Sequence, residues 1–338
     1  ATLAVTNTNN TGVGSLRYVL AGASDGDIID ATGISGMITL ASELYVDKNV
    51  TIKGSGAGSL TINGSNVGRV FNIWTVTVVI ENLTIANGQV TDSHGAGIYN
   101  LGYLTLNNVI VTDNDVLSTG SHVIGGGIYN DGSLTMNGGE VTNNSAHDQG
   151  GGIYSVTNSI LLLDGVLVSG NHVNDVGSNG GGVYVQSGSN FKVNDTAIVN
   201  NSAKTSGGGV YSEASLMMEN SLVAGKTAVD EDGGGLVLLG AGNTVALTNV
   251  TVSGNSAGVG GGGIFVAQTA LNLNNVTITD NTSSDDGGGI VTGTMITNMK
   301  NSIIAGNTAT NDLWGGEDCR GQINSQDYNL VQVDTCLF

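Results

Sequence analysis

Asp164, Asp195 and Glu219 are the carboxylates whose spacing comes nearest to a catalytic arrangement. Each follows a short apolar-alternating run in one of three successive repeats of the chain. Stacking those repeats would set Asp164 and Glu219 about 9.6 Å apart, two strand spacings of roughly 4.8 Å. An inverting glycoside hydrolase holds its acid and base about 6.5–9.5 Å apart, with a water between them and the sugar. The same corner carries Asn, Gly, Thr or Lys in other repeats and is expected to face solvent. A lyase acting on uronates would instead need clustered Arg or Lys, and the basic residues Arg17, Lys48, Lys53, Arg69, Lys192, Lys204, Lys226, Lys300 and Arg320 are scattered. A polysaccharide hydrolase or lyase is therefore an alternative to a non-enzymatic role, which is the leading expectation.

Cation binding is the second chemistry to weigh. Asp230, Glu231 and Asp232 precede Gly233, and Asp285 and Asp286 precede Gly287. Calcium takes six to eight oxygens, which clustered carboxylates and carbonyls can supply. Neither an EF-hand loop nor a GGxGxD nonapeptide is present, so these acids are expected to be solvated charge, with calcium as the one ion they could take. His94, His122, His147 and His172 lie in loops, near Asp148 and Asp175 in sequence. A metal site needs three or four ligands in fixed geometry. Unequal loop lengths argue against a common register, so the histidines are expected to be solvated and no cofactor is called for.

The elements that would position these residues come from one repeat. Gly-Gly-Gly-Ile-Tyr-Asn (125–130) recurs as variants beginning at Gly95, Gly150, Gly180, Gly207, Gly233, Gly261 and Gly287, at steps of 30, 25, 30, 27, 26, 28 and 26 residues. Self-similarity at this period marks a solenoid, in which each repeat buries its apolar side chains only against its neighbours. Between glycine runs lies a second block, LTLNNVIVTDN (104–114), repeated as LLLDGVLVSGN (161–171), VALTNVTVSGN (245–255) and LNLNNVTITDN (271–281). Alternation of period two means one buried face. Each repeat thus holds a Leu-x-Leu strand, a Val-x-Val strand and the Ile-Tyr-Asn strand after the glycines.

The predicted fold is all-β: a single right-handed parallel β-helix of triangular section, three strands per turn and about ten turns. The Val-x-Val strand is traced back to Val50–Ile52 and Leu83–Ile85. Residues 1–36 are expected to form an N-terminal cap, with a helix from Ser15 to Ala23 that is N-capped by Ser15 and buries Leu16, Val19 and Leu20. Residues 37–310 form the solenoid, beginning with strands at Met37–Leu40, Leu44–Val46, Val50–Lys53, Ser59–Ile62 and Val70–Ile73, and 311–338 a C-terminal cap. At the end of each Val-x-Val strand stand Asn114, Asn144, Asn171, Asn201, Lys226, Asn255, Asn281 and Asn307. Stacked amides there would form a ladder, and asparagine also tolerates left-handed turns. The glycine runs are expected to serve close backbone approach. A strand rather than a helix follows them, which argues against a phosphate site.

Composition narrows the partners. Nine Lys and Arg face 28 Asp and Glu, for a net charge of −19. Nucleic acid and anionic membranes are bound through basic residues, so neither is expected as a partner. No apolar run reaches the roughly 18 residues that span a bilayer, so no membrane insertion is expected, and no signal-peptide pattern opens the chain. Cys319 and Cys336, the two cysteines, are expected to form a disulfide and to place the protein in an oxidising, extracellular compartment.

The motifs GGGIYN and LTLNNVIVTDN resemble the repeat unit of bacterial secreted β-helix proteins, the polymorphic outer-membrane-protein-like passenger repeats and the related choice-of-anchor surface proteins. VTNTNNTGVGSLRYVL and DCRGQINSQDYNLV resemble the segments that open and close their helices. The resemblance covers nearly the whole chain and implies a β-helix at a cell surface. Neither a transmembrane β-barrel nor a sorting anchor is expected from these residues, and the later repeats replace the Tyr (Val237, Phe265, Val291).

Two outer-face features point to contacts. Leu162, Leu167, Met217 and Leu222, with Val199 between them, are predicted to point outward where other repeats have Thr, Ser or Asn. An apolar patch on a flank more often marks a protein contact than a cleft. Tyr99, Tyr129, Tyr154, Tyr184 and Tyr211 form an aromatic column that could bind sugar rings or a partner, or stabilise a strand face. The leading expectation is a secreted structural or adhesive surface protein whose partner is itself or another surface protein, with filament formation through solenoid ends and flank. A glycan-binding adhesin is a further alternative.

Overall fold

A computed structural model describes residues 1–120, 122–311, 316–332 and 334–337. Three parts of the expected C-terminal cap (312–315, 333 and 338) lie outside the described residues. The described residues form a parallel β-solenoid of about twelve turns with one helix. Every inter-strand pairing among the described strands is parallel, at a sequence offset of one turn. The register is unbroken from Thr105 through Thr135 to Leu162, and from Lys192 to Met217.

The helix spans Leu16–Gly22; the Ser15 side chain accepts from the Tyr18 N–H, and Leu16, Val19 and Leu20 are buried. Early strands at Gly36–Thr39, Leu44–Val46, Val50–Lys53, Leu60–Asn63 and Phe71–Ile73 agree with the periodicity to within a residue. The stack continues into both segments expected as caps. Thr2–Ala4 pairs with Asp27–Asp30, and Cys319–Ser325 pairs with Asp334–Leu337. The Cys319–Cys336 disulfide ties those last two strands.

Two features differ from the expectation. Val50–Ile52 belongs to the Leu-x-Leu column, since Val50 pairs with Val78 and Val78 with Leu104; Leu83–Ile85 does lie in the Val-x-Val column. The early turns lack the glycine run that marks phase, so alternation alone fixes which face is buried and not which column a strand joins. Each central turn also has a fourth, short strand after the corner Asn, such as Ser145–Ala146 and His172–Val173, and these form a separate nine-stranded sheet. Its inward row is Val90, Val116, Ala146, Val173, Ala203, Ala228 and Ala257, small enough to face the glycine run.

The corner asparagines form the predicted ladder. Asn144 Nδ2 donates to Asn171 Oδ1 at 2.9 Å, and Asn171 Nδ2 to Asn201 Oδ1 at 2.9 Å. Each Nδ2 also reaches back to a Val-strand carbonyl, as Asn171 does to Val141 at 2.8 Å. All are buried. They do not supply the left-handed turn; the preceding residue does, at Asp113, Asn143, Asn200 and Asp280 and at Gly170 and Gly225. The ladder and the glycine runs are one device. A Cβ on Gly152 would stand 2.5 Å from the Gly182 carbonyl oxygen and 2.9 Å from Asn171 Cγ. The third glycine of each run therefore lies directly on the buried ladder side chain one turn on, an amide except at Gly209, which meets Lys226.

Candidate functional site

The carboxylate corner is built where the Leu-x-Leu strand turns into the Val-x-Val strand. Asp164, Asn194 and Glu219 occupy one row, in register on three successive turns, and Asp195 sits one residue further along with φ +46°. Asn194 stands in the row between Asp164 and Glu219, the two carboxylates that the spacing pairs, and its Nδ2 donates to Asp164 Oδ1 at 2.7 Å and to Asp195 Oδ2 at 3.2 Å. Its Oδ1 accepts from Asn220 Nδ2 at 3.0 Å, which extends an exposed amide ladder through Asn249 to Asn275. The corner thus carries hydrogen-bonded amides between its acids and opens onto a shallow depression lined by Leu162, Lys192 and Met217.

The outward rows beside that corner are partly apolar. On one side the row reads Thr135, Leu162, Lys192, Met217, Ala246; on the other, Glu140, Leu167, Ala197, Leu222, Thr251. Met217 and Leu222 are 46% and 36% exposed, while Leu162, Leu167 and Val199 are half-buried. Val199 lies in a separate row with Ser169 and Ala224, so Ala197 and Lys192 are the residues between the leucines. The second row continues through Thr277 to Ile303 and Leu330 near the C-terminal end, where Met295 and Ile296 are also exposed. Sequence reasoning missed that distal patch because the repeat becomes irregular there.

The tyrosines do stack in register, outward of the buried Ile98, Ile128, Ile153, Val183 and Val210. Successive centroids from Tyr99 to Tyr211 lie 4.8, 6.0, 5.0 and 4.9 Å apart, with ring planes within 9°. The rings turn their faces to one another, which leaves edges rather than faces for a sugar. His94 stacks on Tyr129 at 5.1 Å, and the Arg69 guanidinium lies 4.9 Å from the Tyr99 centroid. Tyr154 and Tyr184 are buried, and the Tyr184 hydroxyl donates to Glu213 at 2.8 Å. Burial raises all five phenols, Tyr129 and Tyr211 to about 12, with neighbouring carboxylates adding to the effect.

The acidic loop residues go separate ways. Lys204 pairs with Asp230 at 2.8 Å, the Ser206 hydroxyl donates to Glu231 at 3.2 Å, and Asp232 accepts from the Gly260 N–H at 2.9 Å. Asp286 pairs with Arg320. Burial pushes the Asp232 carboxyl above its ordinary value.

The histidine loops behave differently. Despite unequal lengths they stack, through parallel bridges from Ile124 to Gln149, Asn179 and Ser206. His122 and His147 each place Nδ1 3.3 Å from an oxygen of Asp148, and His147 Nδ1 is 3.6 Å from Asp175. His94 stays apart from this group, its Nδ1 accepting from the Ile124 N–H at 3.3 Å; burial, with His122 and Arg69 nearby, lowers its pKa. His172 lies in the short strand.

Residues 140–156 and 275–293 match the Chlamydia polymorphic membrane protein repeat. Both segments run from the Val-x-Val strand through the ladder Asn (Asn144 and Asn281) and the glycine triplet into the following strand. No curated protein matches the chain. Among solved structures, the A-module of the mannuronan C-5 epimerase AlgE6 of Azotobacter vinelandii is 13% identical, with 97% of this chain and 98% of that one covered at a TM-score of 0.40.

Proposed function

We propose that the chain is a non-enzymatic structural or adhesive solenoid displayed at a cell surface, and that the apolar strip beside the carboxylate corner is a contact face for a second copy. The observation that carries this reading is the exposure of Met217 and Leu222 on two adjoining strand faces, with Leu162 and Leu167 beside them in the same rows. Exposed apolar surface on a soluble flank costs solubility unless something covers it. Ile303 and Leu330 extend the same row to the last described turns, and strand edges at the ends of a solenoid can dock end to end.

The groups that suggested other activities are engaged in structure. The tyrosine faces stack on each other, and Asn194 bridges two of the three candidate carboxylates. Surface display is supported by the two repeat matches. The test is Leu222→Asp, alone and with Met217→Asp. Assembly monitored by sedimentation should fall at least tenfold with unchanged circular dichroism; assembly equal to that of the unaltered chain would rule the strip out.

A further inference from the structure

We propose that His147, Asp148 and Asp175, with His122 as the nearest fourth donor, bind a late first-row divalent cation of the Zn2+ class. The three ligand atoms of His147, Asp148 and Asp175 lie within 4.8 Å of one another. The neighbouring donor separations are 3.3 Å (His122–Asp148), 3.3 Å (His147–Asp148) and 3.6 Å (His147–Asp175). A tetrahedron drawn around zinc with bonds of about 2.0–2.1 Å has edges of about 3.3–3.4 Å. Three donor pairs, with His122 and His147 on opposite oxygens of Asp148, therefore already lie near the spacing such an ion requires, while the His147, Asp148 and Asp175 group as a whole lies within 4.8 Å. Imidazole and carboxylate together favour zinc-like ions over calcium, which takes oxygen alone.

The charge balance points the same way. Asp148 and Asp175 face each other across His147, and their ion-pair partners among the described residues are histidines alone. A divalent cation would neutralise both carboxylates without requiring the imidazoles to be protonated. The ligands come from loops of three successive turns that the backbone already pins. The Asp148 N–H donates to the Val123 carbonyl at 3.1 Å and the Asp175 N–H to the His147 carbonyl at 3.2 Å. The Val123 N–H donates in turn to the Asp148 carboxylate, fixing its orientation. Preorganisation of that kind is what outer-shell contacts provide in metal sites. The bound ion would staple the loops of three turns together.

The test is titration of the chelator-dialysed full chain with ZnCl2 by calorimetry, with Co2+ absorption reporting geometry. One ion per chain is expected, with a tetrahedral Co2+ spectrum. His147→Ala and Asp175→Asn, both at half-buried positions, should each weaken binding at least tenfold; His122→Ala should weaken it less, and His172→Ala not at all. A rise in melting temperature with zinc should vanish in the first two variants. No saturable binding, binding unchanged in His147→Ala and Asp175→Asn, or saturation by Ca2+ in preference to Zn2+ would each overturn the proposal.

Discussion

Asn144 accepts two hydrogen bonds through one oxygen from Asn114, one turn earlier: the Asn114 backbone N–H lies 3.1 Å away and its Nδ2 2.8 Å. The same pairing recurs from Asn144 to Asn171 and from Asn171 to Asn201. Each buried amide thus satisfies a corner N–H that no strand pairing reaches, and it does so in contact with the glycine run.

Removing one ladder amide should therefore be far more costly than removing a surface amide. Asn171→Ala strands the Asn144 donors in a buried site, at about 1–3 kcal/mol for each group left unpaired. Asn275→Ala, in the exposed ladder that includes Asn249, should cost under about 1 kcal/mol. Denaturant unfolding of the two variants measures the difference; equal losses would mean that the buried ladder is not a stabilising element.

Lys226 occupies a ladder position and is buried. Its Nζ reaches the Ile198 carbonyl, the counterpart of the Val168 carbonyl that Asn201 uses, but it offers no acceptor to Asn201. Burial pushes the ammonium well below its ordinary value, so folding disfavours the proton that the unfolded lysine holds. Lys226→Asn should stabilise the chain by at least about 1 kcal/mol at pH 7. The unfolded chain gives up the same proton near pH 10.4, so that part of the cost disappears as pH rises towards that value. The gap between variant and parent should narrow from pH 7 to 10, and melting temperatures across that range measure it.

The stacked phenols make the opposite prediction at high pH. Their folded pKa values lie above the ordinary value of about 10, so the neutral stack contributes fully below that pH. Its contribution is lost as pH rises from about 10 through about 12, where Tyr129 and Tyr211 ionise. Ultraviolet absorbance should show a late phenolate transition coincident with loss of strand signal, and Tyr154→Ala should lower stability by about 3 kcal/mol.

What the sequence disclosed follows physical period. Alternation of two reveals a buried face, so the strands and the amphipathic helix at Leu16–Gly22 were legible. The corner Asn and the glycine run were legible because each recurs at a fixed place in nearly every repeat. Which column Val50 joins was not, because register is a relation between turns. The meeting of His147 with Asp148 and Asp175 was hidden for the same reason: loops of unequal length carry no period, and only the bridges through Gln149 and Asn179 align them.

The central claim is that the flank around Met217 and Leu222 is covered by another copy, and it is tested most directly by the particle size of the purified full chain. Light scattering with electron microscopy should show concentration-dependent ordered assemblies that Leu222→Asp disperses. A monomer of 34.0 kDa at every concentration examined would contradict it.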